Sequence, residues 1–538
     1  MTSEAPSAKP TGSVSPWTPL RHSIYRWLWI ASVASNIGTW LQSVGASWLM
    51  TTLSTSAFLV AFVQAATSLP MFLLSLPAGA LADVLDRRRI LIVTQIWMTV
   101  AATALGVMTL MGKVTPWWLL VFTFLLGLGA ALNGPPWQAI VPELVPREDL
   151  ASAITLQSIG FNIARAAGPA IGGLLVASAG PGWTFLLNAV SFLGVVVVLF
   201  LWRRPSVESM LPAERFFGAM RTGLRYVRHA PEVIAPIVRG SVFVLCASSL
   251  WALLPIVARI DLKQGPGGYG VLLTALGVGA VAAAMVLPRL KRNNSTDLVV
   301  AVATLVFAGS TVVLALVHSF PVVCLALLLA GGAWLSHLSS LNVAVQTVVP
   351  SWVSGRALSV YMLIFYAGLT AGSALWGAVA DHAGVAEALL ISVAGMIIGL
   401  LFTLRFHLKS GEGLNLSPSR QWPTLIVHHD LEPERGPVLI TVEYEIEPAR
   451  SAEFASAMDE VRRIRRRDGA LQWGLFTDAA MPGHFTEVFL MKSWLEYLRQ
   501  RERATVSDRD YVEKVRVFHQ GPGGPVVRRL IAAPVPRE

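Results

Sequence analysis

Residues 79–89 read GALADVLDRRR, a short polar turn between two apolar runs at 57–81 and 90–111. Each run has about 20 residues or more and no charge, so as an α-helix it could cross a hydrocarbon core of roughly 30 Å. The composition of the whole chain agrees, because 54% of its 538 residues are hydrophobic and only 14% are charged. A soluble globular protein of this size rarely has such a composition, so the chain is predicted to span a membrane.

Twelve apolar runs of this kind are predicted in the chain. They form two groups of six around a polar stretch at 203–235, which predicts an all-α membrane protein with six-helix bundles at 24–202 and 236–408. Residues 1–23 are rich in Ser, Thr and Pro and show no signal-peptide pattern, so a disordered cytoplasmic tail is expected there. The ten further runs lie at 27–50, 117–138, 151–177, 183–202, 236–258, 269–288, 298–317, 321–348, 357–380 and 385–404.

Basic residues are distributed unequally along the chain. Residues 1–409 hold 24 Lys/Arg and 13 Asp/Glu, whereas residues 410–538 hold 18 and 19. If the N-terminus is cytoplasmic, 20 of the first 24 basic residues fall on the cytoplasmic side. This asymmetry predicts a multi-pass protein of the inner membrane with both termini in the cytoplasm. No soluble module clusters basic and aromatic residues, so the positive net charge does not indicate a nucleic-acid partner.

The central stretch 203–235 contains a segment, 215–228, in which apolar residues recur at helical spacing among arginines. The segment is predicted to form an amphipathic helix. Such a helix could lie on the anionic cytoplasmic leaflet, or it could pack against the cytoplasmic face of the bundle. The sequence favours neither alternative.

The apolar character ends after residue 405. A polar linker at 409–435 leads to a region, 436–538, whose pattern of strands and helices predicts a small cytoplasmic α+β domain of the ferredoxin-like type. Gly483 marks a turn between two of the strands. The predicted elements are a strand at 438–445, a helix at 449–468, strands at 470–478 and 484–492, and helices at 494–503 and 507–518.

Arg165 lies near the middle of the fifth run, where a charge is costly unless it faces a wet cavity or a partner. Asn162 shares its helical face. The arginine could bind an anionic or catecholate-like group, or it could pair structurally with a backbone carbonyl. Further candidates for contact with a substrate or a coupling ion lie on the first and tenth runs: Asn36, Trp40, His337, Asn342 and Gln346. His337 could relay protons, or it could be a hydrogen-bonded packing residue.

Two motifs resemble those of the major facilitator superfamily of transporters. In the turn at 79–89, Gly79, Asp83, Arg87 and Arg88 occupy positions of the superfamily signature, in which the Asp and the arginines form a latch between the bundles at the cytoplasmic face. The alternative is an ordinary positively charged cytoplasmic turn. The fifth run contains a Gly-Pro-rich motif similar to that of the superfamily's exporters: Gly168, Pro169, Gly172 and Gly173.

The second half narrows the resemblance to one branch of the superfamily. Residues 341–346, LNVAVQ, and 349–357, VPSWVSGRA with Gly355 and Arg356, resemble the transmembrane secretion effectors. The tail, with RRDGA at 466–470, resembles an extension of one subgroup, similar in outline to antibiotic-biosynthesis monooxygenase-like domains. The resemblance implies a proton-coupled exporter of a small organic molecule, such as a siderophore, a drug or a metabolite. A homodimer through the tail's sheet is a further implied arrangement.

No Asp or Glu lies in the middle of any predicted run, although a proton-coupled drug exporter usually has one. Asp83, Glu143 and Asp381, at the ends of runs, are therefore fallback candidates for coupling. Residues 377–381, GAVAD, echo residues 79–83, GALAD, on the opposite side of the membrane. An inverted repeat would produce this echo, and so would chance among small residues.

The alternative function is that of a membrane-tethered enzyme in which the tail does the chemistry. The tail contains no metal-spaced His/Cys set, no phosphate-binding Gly loop and no nucleophile motif. We therefore predict a transporter without catalytic residues, cofactor or metal, whose partners are the lipid bilayer and a small-molecule substrate.

Overall fold

The computed structural model describes residues 17–202, 225–408, 415–417, 419 and 432–533. Within these residues, twelve long helices occupy the twelve predicted runs, which confirms the predicted membrane fold. The helices are α1 Ser23–Leu53, α2 Ala57–Val84, α3 Arg87–Leu110, α4 Pro116–Leu144, α5 Leu150–Ala179, α6 Pro181–Leu201, α7 Pro231–Ile256, α8 Pro266–Asn293, α9 Thr296–Leu316, α10 Phe320–Thr347, α11 Ser351–Ala383 and α12 Val385–Thr403.

Eleven of these helices are long and apolar enough to cross a membrane by length and composition. The remaining helix of the described part, α1, has 31 residues but carries many Ser, Thr, Asn and Gln residues. Four of the hydroxyls bond to carbonyls of the same helix, including Thr39 Oγ1 to the Ser35 carbonyl and Ser43 Oγ to the Thr39 carbonyl, both at 2.9 Å. A helix with such internal bonds can carry a polar face at membrane depth.

Side-chain caps set the starts of α2 and α3. Helix α3 begins within the turn at 79–89, which we call the motif turn. The Ser56 hydroxyl accepts a bond from the Leu59 amide at the start of α2. Asp86 accepts a 2.8 Å bond from the Arg89 amide and so begins α3. Asp86 stands where the superfamily signature usually has Gly, and an N-cap carboxylate is the physical role that it takes here.

The described residues form two compact units. Those within 1–213, 239–340 and 362–405 form one unit, and those within 214–238, 341–361 and 406–538 form the other. In the first unit α1 packs on α5 and α6, and glycines allow a close approach: a Cβ on Gly45 would lie 2.2 Å from Thr184 Oγ1. Elsewhere in this unit α3 packs on α4 and α6, α2 on α4, α5 on α8, and α9 on α12.

The second unit contains the predicted α+β domain. Its strands are β1 Val438–Glu445, β2 Gln472–Thr477, β3 His484–Met491 and β4 Val526–Ile531, and its helices are α13 Ser451–Asp468, α14 Trp494–Arg503 and α15 Val506–Arg516. The sheet is antiparallel in the order β2-β3-β1-β4. Gly483, with a φ of +91°, forms the predicted turn before β3. The sequence prediction missed β4, an edge strand whose side chains are mostly exposed and include two adjacent arginines.

A buried charge network joins the sheet to α13. Glu487 on β3 is fully buried and accepts bonds of 3.0 Å from Arg465 Nε and Trp473 Nε1. The Tyr444 hydroxyl lies 3.4 Å from the same carboxylate, and burial raises the pKa of this tyrosine. Because every partner is supplied by the domain itself, the network has a structural role.

Two short segments outside the α+β domain pack against it within the second unit. The Arg467 guanidinium lies 5.4 Å from the Tyr226 ring centroid, and that of Arg503 lies 4.8 Å from the Trp352 ring centroid. The two rings meet edge to face at 5.8 Å. Burial raises the pKa of Tyr226. Of the predicted amphipathic helix 215–228, residues 225–228 are helical, and the rest lie outside the described residues.

Candidate functional site

A cavity of ≈ 530 Å³ lies between the two halves of the helical bundle. It is lined by residues from α1 to α6 of the first half and from α7, α8, α10 and α11 of the second. Cavities of roughly 300–1,000 Å³ accommodate drug-sized ligands. The cavity therefore has the size and position of a site for a small organic molecule.

The polar face of α1 forms one wall of the cavity. The predicted residues Asn36 and Trp40 both lie on this wall. So do other residues of the same face, which recur at helical spacing: Ser35, Thr39, Gln42, Ser43 and Ser47. Six of the ten Ser, Thr, Asn and Gln residues of α1 thus face the cavity.

Arg165 of α5 also lines the cavity. Its side chain makes no hydrogen bond, ion pair or ring contact with any residue that the structure describes. The structure therefore offers no support for a structural pairing of Arg165 with a backbone carbonyl. No other residue that the structure describes around the cavity is charged.

The Gly-Pro-rich motif of α5 lets three helices meet. A Cβ on Gly168 would lie 2.6 Å from Trp40 Cβ, so this glycine makes room for a cavity residue of α1. Gly172 faces α1 as well, with Leu41 Cα at 3.1 Å. A Cβ on Gly173 would lie 2.7 Å from the Pro266 carbonyl oxygen and 2.8 Å from Gly270 Cα, so here α5 touches α8 of the other half.

Aromatic side chains form much of the remaining wall. The rings of Trp251 and Trp334 pack edge to face with centroids 5.5 Å apart. The indole nitrogen of Trp251 is buried without a hydrogen-bond partner among the described residues. The other aromatic residues that line the cavity are Trp40, Phe161, Phe192 and Tyr269. Flat hydrophobic walls of this kind favour ligands with rings.

Sequence reasoning missed several amides of the cavity. Gln64, Gln95, Asn133 and Asn188 line it, and they come from α2, α3, α4 and α6. Asn188 donates a short hydrogen bond to Gln42 across the α1–α6 contact. The sequence could have indicated these residues, because an amide in the middle of an apolar run raises the free energy of the protein unless it faces a partner or a cavity.

Other predicted residues do not join the cavity. Asn162 bonds to the Ser158 carbonyl one turn earlier on its own helix, at 2.8 Å. His337 is buried elsewhere, stacked on Phe243 with ring centroids 3.7 Å apart and bonded to Thr304 Oγ1 at 3.1 Å. Asn342 and Gln346 belong to the second compact unit and bond to each other.

At the motif turn, two arginines hold neighbouring helices of the first half. Arg87 pairs with Glu143 of α4 at 3.0 Å, and Arg88 donates to the Leu199 and Phe200 carbonyls at the end of α6. Asp83 lies in the last turn of α2, and its side chain is outside the described part.

The glycines of the two predicted loop motifs have open surroundings in this conformation. No described atom lies within 4 Å of a Cβ placed on Gly79 or Gly355. In this conformation no described helix therefore packs closely against either glycine. Arg356, beside Gly355 in the first turns of α11, is half-buried.

A polar contact between the halves lies at the end of the bundle where α2 begins and α11 ends. Asp381 accepts hydrogen bonds from the Ser56 hydroxyl, at 2.7 Å, and from the Ala57 amide. One turn earlier on α11, a Cβ on Gly377 would lie 2.6 Å from Ala61 Cβ. The segment GAVAD thus packs the end of α11 against the start of α2.

The sequence matches the family described as Transmembrane secretion effector over residues 14–537. The chain belongs to this family. The match includes the α+β domain as well as the twelve helices, so the family to which the whole chain belongs is one of transporters rather than enzymes.

Curated relatives agree with this assignment. The chain is 27% identical to the Enterobactin exporter EntS of Salmonella typhimurium (strain LT2), over 71% of this chain and 92% of that protein. It is 24% identical to the Multidrug efflux pump Tap of Mycolicibacterium fortuitum, over 69% and 93% respectively. It is also 24% identical to the Staphyloferrin A transporter of Staphylococcus aureus, over 61% and 82%.

Solved structures share the fold. A bacterial homologue of the human lysosomal transporter Spinster superimposes with a TM-score of 0.55 at 16% identity, over 73% of this chain and 98% of that one. A mutant of the nucleoside transporter NupG superimposes with a TM-score of 0.61 at 11% identity, over 71% and 100%. The chain is thus a multi-pass inner-membrane transporter with the major facilitator fold.

Proposed function

We propose that this transporter exports a small organic molecule through the central cavity by alternating access, driven by protons. The observation that carries the proposal is the cavity itself, which lies between the halves and is lined by ten helices. The relatives are named as exporters or transporters of siderophores and drugs, and these names support both the outward direction of transport and this range of cargo. Metabolites of similar size fit the same volume.

We propose that both termini are cytoplasmic, because this orientation places most arginines and lysines on the cytoplasmic side. The contacts of Asp381 with α2 and of Gly173 with α8 then lie at the outer ends of the helices. We propose that these contacts close the outer side of the cavity in the inward-open state. Alternating access requires these contacts to open and re-form in each cycle.

The Asp381 contact supports proton coupling more directly than His337 does. A proton taken up by the Asp381 carboxylate would weaken its charge-assisted bonds to Ser56 and Ala57 and so favour opening of the outer side. His337 is enclosed by Phe243 and Thr304 away from the cavity, an arrangement that favours the packing role. Asp381 is therefore the residue that we assign to coupling.

We propose that Asp83, Arg87 and Arg88 form the cytoplasmic latch in the outward-open state. Replacing Asp83 with Asn is expected to slow export about fivefold, the rate equivalent of about 1 kcal/mol for a partly exposed ion pair. Export rates in reconstituted vesicles measure this effect. Asp86→Asn is the matched control, since Asn preserves the N-cap of α3. An unchanged rate in the Asp83 variant would remove the latch from the cycle.

The experiment that tests the proposed function uses a deletion strain and a panel of siderophores, drugs and metabolites. Intracellular accumulation is measured with and without the restored wild-type gene. We expect at least one compound to accumulate more in the deletion strain and to return to the wild-type level on restoration. If no compound in the panel changes, the exporter assignment is wrong.

A further inference from the structure

The charge balance of the central cavity restricts the chemistry of its cargo. Among the residues that the structure describes around the cavity, Arg165 carries the only formal charge. The described lining contains Ser, Thr, Asn and Gln side chains but no Asp, Glu, Lys or His. Arg165 therefore makes the field inside the cavity positive, and no carboxylate of the described lining neutralises it.

Arg165 also has no bonding partner among the residues that the structure describes. A guanidinium withdrawn from water without a carboxylate partner raises the free energy of the protein unless something else neutralises it. The five donors of its planar fork match the geometry of a carboxylate or a sulfonate. A bound anion would supply both the missing charge and the missing acceptors.

A cationic ligand is disfavoured in this cavity. It would leave Arg165 without an acceptor and would add repulsion between like charges.

The aromatic wall of the cavity determines which uncharged groups of a ligand bind well. Trp251 and Trp334 pack against each other across α7 and α10, and Trp40 faces the cavity from α1. The same π-faces that would attract an organic cation also stack on neutral rings. No described residue of the lining is a carboxylate, so ring stacking is the contact that remains favourable next to Arg165.

We propose that the cargo is an organic anion that carries a ring, with its anionic group bound by Arg165 and its ring by the tryptophan wall. This inference rests on the proposed export function and specifies its substrate class. Arg165 sets the preference for charge, and the shape of the aromatic wall sets the preference for size.

Three fluorescent probes with the same naphthalene ring system test the proposal: dansyl acid, dansyl amide and dansyl cadaverine, which are an anion, a neutral molecule and a cation. Their affinities are measured on the full-length protein in nanodiscs. We expect wild-type protein to bind the acid at least tenfold more tightly than the amide, and the cation most weakly. Arg165→Gln should bind acid and amide equally, and Arg165→Glu should prefer the cation.

The matched control is Arg289→Gln, which removes the same charge from an exposed position of α8 outside the cavity and should keep the wild-type order. The proposal is overturned if wild-type protein binds the cation as tightly as the acid, if it binds none of the three, or if Arg165→Gln keeps the preference for the acid. The proposed export function has its own test: it is refuted if the accumulation of no compound in the efflux panel depends on the protein. A transporter that exports only cations or neutral compounds would therefore refute the anion class alone.

Discussion

Replacing Arg165 with Ala is expected to abolish efflux of the natural cargo while the protein remains in the membrane at its wild-type level. Loss of one partner of a buried charged contact costs about 2–5 kcal/mol, which corresponds to a fall in cargo affinity of at least about thirtyfold. The folded protein should tolerate the change, because Arg165 bonds to no described residue. Efflux rate and membrane abundance are measured in the same cells.

Arg289→Ala is the control for this experiment. It removes an exposed arginine of α8 and should leave efflux unchanged. Full efflux in the Arg165 variant would show that the cavity's charge plays no part in transport. Loss of the variant protein from the membrane would instead indicate that Arg165 stabilises the bundle.

Replacing Gly173 with Ala should shift the transporter towards an open outer side. The new Cβ would lie 2.7 Å from the Pro266 carbonyl oxygen and 2.8 Å from Gly270 Cα, and backbone atoms cannot rotate out of its way. Overpacking of this kind costs about 1–3 kcal/mol. Because the cost falls on the closed contact between α5 and α8, the ratio of outward-open to closed protein should rise by about fivefold or more.

Thiol labelling from outside the cell measures this shift. Thr67 is exposed on the cavity wall, and Thr67→Cys serves as the reporter after Cys246 and Cys324 are replaced with Ala. A membrane-impermeant reagent should label the reporter about fivefold faster in the Gly173 variant. Gly194→Ala makes the same chemical change where no described atom lies within 4 Å, and labelling should then equal that of the parent. Equal labelling in both variants would contradict the assignment of Gly173 to the outer closure.

The helices could be predicted from the sequence because a membrane imposes length and apolarity on every span. The observed ends extend beyond the predicted ones where the sequence is polar. Helix α11, for example, begins at Ser351 rather than 357, since its first turns contain Ser354 and Arg356. Strand β4 was missed because it is an exposed edge strand with Arg528 and Arg529 in its middle, so it lacks the alternation of a half-buried strand.

The candidate site could be predicted only in part. The free-energy cost of a charge at membrane depth was enough to select Arg165, and the two candidates on the first run, Asn36 and Trp40, also line the cavity. The same reasoning selected His337, which is polar and deep in the membrane but lies at another helix contact. A sequence gives the depth of a residue in the membrane, whereas the side of the helix that faces the cavity depends on packing against the other helices.

The decisive experiment is efflux from preloaded cells of a deletion strain that produce wild-type protein or none. After the cells are re-energised, we expect at least one anionic ring compound to leave faster when the protein is present. A protonophore should abolish the difference. Proton-driven export of an organic anion would be refuted if no compound left faster, or if the protein moved the compound into the cells.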